Sequence, residues 1–436
     1  MTDKFFKHIE DNFPFLHNGK LLVAVSGGLD SMVLAHLCIK AKLKIAIAHC
    51  NFKLRDADSD MDEEFVRAFA KKSGVQFFSA NFDTASYAKK NKISVQMAAR
   101  ELRYQWFEEI AKESGFDHIL TAHHADDVIE TFLINLSRGA GLDGLTGIPA
   151  INDNIARPLL PFAREDILHY AKDQKLSWRE DGSNAETKYL RNKIRHEIVP
   201  SLKELNPSFI HSFQRTLRYL NGSQALVAKH INEYKQVLFN REDGVYRIPI
   251  SHLKNLNPRP AYLYELFKEF GFTEWDDVAA LIDAQTGKQI FSKTHRLLKD
   301  RESLFIQEIQ PKVRKRSFLI EDDESSTTKP INLKLESVAY VLAEGPRIAH
   351  LDKEKLKFPL TVRRWENGDY FYPAGMQGKK KLSKFFKDEK FSLIAKENQW
   401  LLCDAEHIVW VIGKRLDERF KVTKSTKQIL KITYTP

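Results

Sequence analysis

The chain predicts an α/β fold: an N-terminal domain on a parallel sheet covered on both faces, a helical middle domain and a small α+β C-terminal domain. Three observations carry this. Short apolar runs alternate with helical patterns through the first two hundred residues, helix-period sequence follows, and a basic, strand-containing tail comes after a polar stretch near residue 320. At 436 residues the chain is too long for one ordinary core.

In order, LLVAV (21–25), KIAIAHC (44–50), VQFFSANF (75–82) and HILTAH (118–123) read as strands. Between them SMVLAHLCIKAK, SDMDEEFVRAFAKKSG and SVQMAARELRYQWFEEIAKESG carry apolar residues at helical spacing. In the last, Ala99, Leu102, Trp106 and Ile110 form one stripe. Buried-type strands alternating with helices give a parallel sheet. In such sheets ligands bind beyond the carboxyl ends of the strands. Residues 1–200 form this domain. Residues 201–310 read as mainly helical, ending in a strand pair within KQIFSKTHRLLKDRESLFIQ. The polar, acid-centred stretch around EDDESS marks a linker at 311–330, and 331–436 form the last domain.

A net charge of +10 points to a polyanionic partner, with nucleic acid the first candidate. Cys38, Cys50 and Cys403 form no C-x-x-C, which excludes a disulfide framework and a cysteine-rich zinc site and fits a reducing cytoplasm. MTDKFFKHIEDNF holds acids where a signal peptide would be apolar. No stretch approaches the ~18 apolar residues that a membrane span needs.

The first strand runs into Ser26-Gly27-Gly28-Leu29-Asp30-Ser31. Glycines let the chain turn tightly and bring backbone N–H groups near a ligand. The helix that follows favours an anion at its start, and Ser26 and Ser31 add hydroxyl donors. Asp30 opposes a bare phosphate but suits one bridged by Mg²⁺, which takes carboxylate and phosphate oxygens together. The six residues therefore read as a pyrophosphate cradle. No G-x-x-x-x-G-K-[ST] is present, so the loop is not a Walker A.

A second constellation is TAHHADDVIETFLINLSRGAGLDGL (121–145). On a helix following the fourth strand, His123, Asp127 and Glu130 at i, i+4 and i+7 share a face. An imidazole and two carboxylates there can bind a metal, hold a substrate ammonium or move a proton. Asp126 points about 100° away. In AARELRY (98–104), Arg100 and Arg103 lie on one side of a helix and suit the negative charge of a bound phosphate. DGSNAETKYLRNKIR adds Arg191, Lys193 and Arg195 after Asn184. The tail adds Arg363, Arg364, Arg415 and six lysines between Lys379 and Lys390, among them Lys380, Lys381 and Lys384. Lysine clusters give sequence-independent phosphate affinity, whereas the adjacent Phe385 and Phe386 read as core.

The Ser26–Ser31 loop resembles the PP-loop of the N-type ATP pyrophosphatases. SGGLDS, HCNFKLRDADSDMDEEFV, AARELRY, TAHHADDVIETFLINLSRGAGLDGL and DGSNAETKYLRNKIRHEIVP, in that order, look like tRNA(Ile)-lysidine synthetases across the N-terminal domain. RRWENGDYFYPAGMQGKKKLSKFFKDEKF is similar to that family's C-terminal domain, and the middle matches loosely. Phe52 departs from the pattern, standing where the family often has a second His.

The resemblance implies a two-step reaction. ATP adenylates the C2 oxygen of the wobble cytidine in a CAU-anticodon isoleucine tRNA, and L-lysine then displaces AMP. It implies Ser26, Gly27, Gly28, Leu29, Asp30 and Ser31 on pyrophosphate, with Asp30 on Mg²⁺. Arg100 or Arg103 would face the α-phosphate, His123 and Asp127 would belong to the catalytic centre, and Asp127 and Glu130 would receive the lysine. Arg191, Arg195, Arg363, Arg364, Lys379, Lys380, Lys381 and Lys384 would face tRNA, the C-terminal ones toward the acceptor end. A homodimer stays open. The alternatives are a PP-loop tRNA thiolase, which generally needs reactive cysteines, and a non-catalytic tRNA-binding relative.

Overall fold

The structure, a computed structural model, describes residues 1–54, 57–179, 189–242, 244–309, 317–341, 345–405 and 407–435. It divides into two compact units, Met1–Lys229 and His230–Pro436.

The first unit is built on strands β1 (Lys20–Ala24), β2 (Lys44–Asn51), β3 (Gln76–Asn81), β4 (His118–Leu120), β5 (Ile151–Asn152) and β6 (Ile155–Ala156), in spatial order β3-β2-β1-β4-β6-β5. All neighbours are parallel except the β5–β6 pair at one edge. Leu21, Leu22 and Val23 of β1 are fully buried because both faces are covered. One face takes helices α1 (Thr2–Asn12), α2 (Leu29–Lys40) and α3 (Ala57–Lys72), through Phe5, Ile9, Met32 and Val66. The other takes Phe107, Ile110 and Ala111 of α5 (Val95–Ser114), which follows α4 (Thr84–Asn91). Beyond β4 comes α6 (Ala125–Ser137). Its Val128 and Ile129 pack on Ile194, Val199 and Phe213.

Strand order reverses between β1 and β4. The chain leaving β1 turns one way and the chain leaving β4 the other, which opens a crevice at their carboxyl ends. β4 is shorter than expected: it ends at Leu120, leaving Thr121–His124 as a turn. One ladder bond continues past it, from Thr121 N to Ala156 O at 3.0 Å.

The middle is mainly helical, as expected, and it also carries a sheet larger than the expected strand pair. After the long helix Phe209–Leu238, residues 240–308 contribute a five-stranded sheet, with Asn240–Glu242, Val245–Pro249, Ser303–Glu308, His295–Asp300 and Gln289–Phe291 in that order. The expected strand pair is its centre. The remaining strands are three to five residues long and mostly exposed, too short for a period-2 pattern to stand out. The expected linker is corrected. Phe318–Ile320 pairs with Leu360–Arg364, and Ser326–Thr327 pairs with Asn332–Val338, so both belong to the C-terminal sheets. Residues 310–316, like Asn184, lie outside the described residues. No helix among the described residues is long and apolar enough to cross a membrane.

Phe385 and Phe386 are buried with Phe371, Leu382 and Leu401, as their reading as core expects. Phe386 is 0% exposed, so Phe386→Ala should cost about 3–5 kcal/mol. Urea unfolding should show this as a lower midpoint at unchanged slope; a loss under about 1 kcal/mol would mean that this cluster is not packed as described.

Candidate active site

The loop after β1 is braced from within. Gly27 has φ +91°, a conformation L side chains rarely adopt, and a Cβ there would lie 3.4 Å from Val66. The Ser31 hydroxyl accepts from Ser26 N at 3.1 Å and lies 3.0 Å from Gly28 O, to which it donates. Ser26 Oγ accepts from Gly28 N at 3.3 Å and lies 3.2 Å from Ser31 Oγ. The two serines thus first hold the loop's shape, an arrangement the hydroxyl-donor reading did not contain. Gly27 O accepts from Arg179 N at 3.0 Å, and the Arg179 guanidinium pairs with Asp62.

A cleft of about 370 Å³ opens above this loop, lined among others by Ser26, Asp30, Ser31, Arg103, His123 and Asp127. Residues from three expected motifs therefore meet. Arg103 places its guanidinium 5.1 Å from the centre of the Phe52 ring, which stacks on Phe82. Arg100 is exposed, lies 5.0 Å over Tyr104, and is not among the lining residues.

Asp30 Oδ1 is buried with no hydrogen-bond partner among the described residues, and Oδ2 lies 3.6 Å from His124 Nε2. An orphaned carboxylate oxygen in the cleft wall fits a hard cation. No cluster of three or more His, Cys, Asp or Glu that could cage a metal occurs among the described residues. A cation here would therefore complete its shell with phosphate oxygens and water, as magnesium does.

Sequence reasoning missed His124. Its side chain, 2% exposed, stands among three carboxylates, 3.6 Å from Asp30, 3.8 Å from Asp126 and 3.5 Å from Asp127. Burial pulls its pKa down, but the hydrogen bond with Asp30 and the charges of Asp127, Asp30 and Asp126 together raise it above the ordinary value. The doubled histidine in TAHHADD was the available signal. The i, i+4, i+7 spacing places the helix start too early: α6 begins at Ala125, with His124 as its N-cap. His123 thus precedes the helix and shares no helical face with Asp127, although both line the cleft.

His123 Nδ1 lies 3.0 Å from Thr121 Oγ1. Burial, with Arg157, Arg100 and Arg191 adding to it against Asp127, pushes its pKa down to about 4. Asp127 is held below its ordinary value although burial opposes this; His124, His123, a backbone hydrogen bond and Arg191 prevail.

Glu130 is only 1% exposed, and its carboxylate is occupied. Arg191 Nε donates at 2.6 Å and Arg195 Nε at 2.5 Å, while both guanidiniums also reach Asp127 Oδ1, at 3.2 and 3.5 Å. This corrects one expectation, since Glu130 has no open edge for the lysine amine here; Arg191 and Arg195 are held on these acids, and Arg191 also lines the cleft. Asp126 accepts from Arg164 N at 2.8 Å and from Lys203 Nζ at 2.9 Å, so it anchors the turn.

The C-terminal cations divide similarly. Arg363 makes two 2.9 Å bonds to Asp369, and Lys380 pairs with Asp388 at 2.8 Å; both are structural, contrary to the tRNA-facing expectation. Arg364 stacks on Trp400 and donates to Asn398 O. Lys379 lies 3.7 Å over Tyr370, and Lys381 and Lys384 are exposed. Arg415 stands 3.8 Å from Glu389. Burial pushes the thiols of Cys38 and Cys50 up to about 12 and that of Cys403 to about 11, so none is a ready thiolate.

His123 titrates near 4 in the fold against 6.5 ordinarily, so the unfolded chain binds its proton first as pH falls. Its contribution is complete above pH 6.5 and declines below it, by about 2 kcal/mol at pH 5. His123→Gln should therefore lose about 2 kcal/mol less stability than the parent between pH 7.5 and 5, read by urea unfolding at each pH. Parallel losses in the two proteins would refute the buried neutral imidazole.

The chain is similar to known proteins along nearly its whole length. The PP-loop domain family matches residues 1–202, the TilS substrate binding domain 241–309 and the TilS substrate C-terminal domain 360–432. The tRNA(Ile)-lysidine synthase of Parabacteroides distasonis is 41% identical over 420 residues, 95% of each chain. That of Bacteroides thetaiotaomicron is 39% identical over 436 residues, 99% of each. That of Porphyromonas gingivalis strain W83 is 38% identical over 431 residues, 92% of this chain and 91% of its own. With a braced phosphate loop facing an acid–histidine turn and relatives at these identities along nearly the whole chain, the protein belongs to the tRNA(Ile)-lysidine synthase family.

Proposed function

We propose that the chain joins L-lysine to C2 of the wobble cytidine of CAU-anticodon tRNA(Ile), using ATP. The observation that carries this reading is the meeting of the Ser26–Ser31 loop with His123 and Asp127 in one cleft at the reversal of strand order. In the first step the cytidine O2 forms a bond to the α-phosphorus and pyrophosphate leaves. In the second the lysine amine, its proton lost to solvent, bonds to C2 and AMP leaves with the oxygen.

The Ser26–Ser31 turn cradles the pyrophosphate end of ATP. Asp30 would hold Mg²⁺ there, which supplies charge neutralisation on the phosphates. Arg103, on the cleft wall, faces charge developing at the α-phosphate, while Arg100 acts from outside through the field. His123, kept neutral by burial, offers an imidazole that does not repel an incoming ammonium, and the Asp127 carboxylate, already shared with Arg191 and Arg195, adds negative charge to the cleft wall. Glu130 is a positioning residue, fixing Arg191 and Arg195 against Asp127. The first 200 residues adenylate, and Lys379, Lys381 and Lys384 add phosphate affinity in the tail. The three raised thiols disfavour thiolation.

The test is mass spectrometry of nucleosides from unmodified tRNA(Ile) incubated with the protein, ATP, Mg²⁺ and L-lysine, with AMP quantified alongside. Lysidine and AMP should form in equal amounts. Asp30→Asn and Arg103→Ala should each lower the rate by about 10²-fold or more, and Arg100→Ala by much less. AMP without lysidine would show that the acceptor is wrong.

A further inference from the structure

The second unit holds a cavity of about 290 Å³, walled by Trp400, Tyr434, Asn398, Gln399, Arg347 and Lys414. Its shape is set by the backbone. Ile412 N donates to Trp400 O at 3.1 Å, and Tyr434 N to Arg347 O at 2.9 Å. Gly413 follows with φ +74°, where a Cβ would lie 3.4 Å from the Tyr434 ring. Gln399 is 8% exposed, and its amide nitrogen is spent on the carbonyls of Trp400 and Ile412, at 2.7 and 2.8 Å. The carboxamide oxygen remains as an acceptor. Arg364, paired across the strands with Trp400, lies 3.7 Å from the indole centre and fixes that ring. Arg347 and Lys414 are exposed at the rim.

We propose that this cavity takes one unpaired nucleotide, with its base against Trp400 and Tyr434 and its phosphate on Arg347 and Lys414. The assignment follows from what each wall would otherwise waste. An apolar ligand leaves the amides and cations unused, and an acidic peptide leaves the rings unused. A duplex offers no free base face. Stacking on aromatic rings next to cations is how single strands are gripped without sequence readout. Resting on the reading of the chain as a tRNA-modifying enzyme, the inference assigns the nucleotide to the unpaired 3′ terminus, because the anticodon loop is committed to the cleft of the first unit.

The experiment compares binding of intact tRNA(Ile) with the same tRNA trimmed of its unpaired 3′ nucleotides, for the full-length parent, Tyr434→Ala, Tyr434→Phe and Arg347→Ala/Lys414→Ala. Trimming should weaken the parent about tenfold. On intact tRNA, Tyr434→Ala and the double variant should each lose about as much, and Tyr434→Phe should keep parental affinity. On trimmed tRNA all four should agree within about twofold. Parental affinity of Tyr434→Ala on intact tRNA would overturn the proposal, as would losses that persist on trimmed tRNA. Quenching of tryptophan fluorescence by AMP alone at micromolar concentration, abolished in Trp400→Phe, would assign the cavity to a free nucleotide and also overturn it. Lysidine formation by the parent is followed in parallel. If it fails while the trimmed and intact tRNAs still differ as expected, the pocket stands and the reaction reading falls.

Discussion

The cleft depends on one buried imidazole. Asp30 comes from the first turn of α2, and Asp126 and Asp127 come from the start of α6; His124 is within 4 Å of all three. Three carboxylates gathered this closely would repel one another strongly in a medium that screens poorly. The raised pKa of His124 shows how the fold resolves this: burial disfavours the imidazolium, yet the acids around it prevail. The His124 ring thereby joins two chain segments distant in sequence at one crevice.

From that centre the charges spread outward in alternating sign. Asp126 is shared with Lys203, which also meets Glu165. Asp127 is shared with Arg191 and Arg195, which meet Glu130. Removing one member of such a network leaves its partner buried and unpaired, which costs far more than the pair contributes. Within this network Asp30 Oδ1, like His124 Nδ1, is buried without a hydrogen-bond partner among the described residues. The Asp30 oxygen lies in the wall where a phosphate-bound cation is expected.

What was legible in the sequence was local. The Ser26–Ser31 turn could be read because its glycine, its serines and the strand before it are all contiguous. The buried strands could be read because both-face burial writes continuous apolar runs. What escaped was pairing through space. Arg363 and Lys380 looked like surface cations, yet Asp369 and Asp388 neutralise them within the fold. Arg191 and Arg195 looked equally free, and their acids lie more than sixty residues away. The error at His123 had another origin. Helix periodicity was extended two residues past the true N-terminus, where the N-cap side chain follows different geometry. The sheet within 240–308 stayed hidden because its flanking strands are too short to show alternation.

The identity of the cleft's cations follows from the chemistry proposed for it. Arg103 and Arg191 line it, and no lysine does among the described residues. Two separate demands explain this. Holding triphosphate and carboxylates calls for fixed positive charge in a planar fork, which guanidinium supplies at any accessible pH. The second demand is restraint. An adenylated cytidine is built to be attacked by a lysine amine, and an ε-amine on the cleft wall would be the same nucleophile at high effective concentration. Guanidinium stays protonated and delocalised, so it can neutralise the intermediate without reacting with it. On the proposed reaction, a cleft that takes lysine as its substrate does best with none of its own within reach.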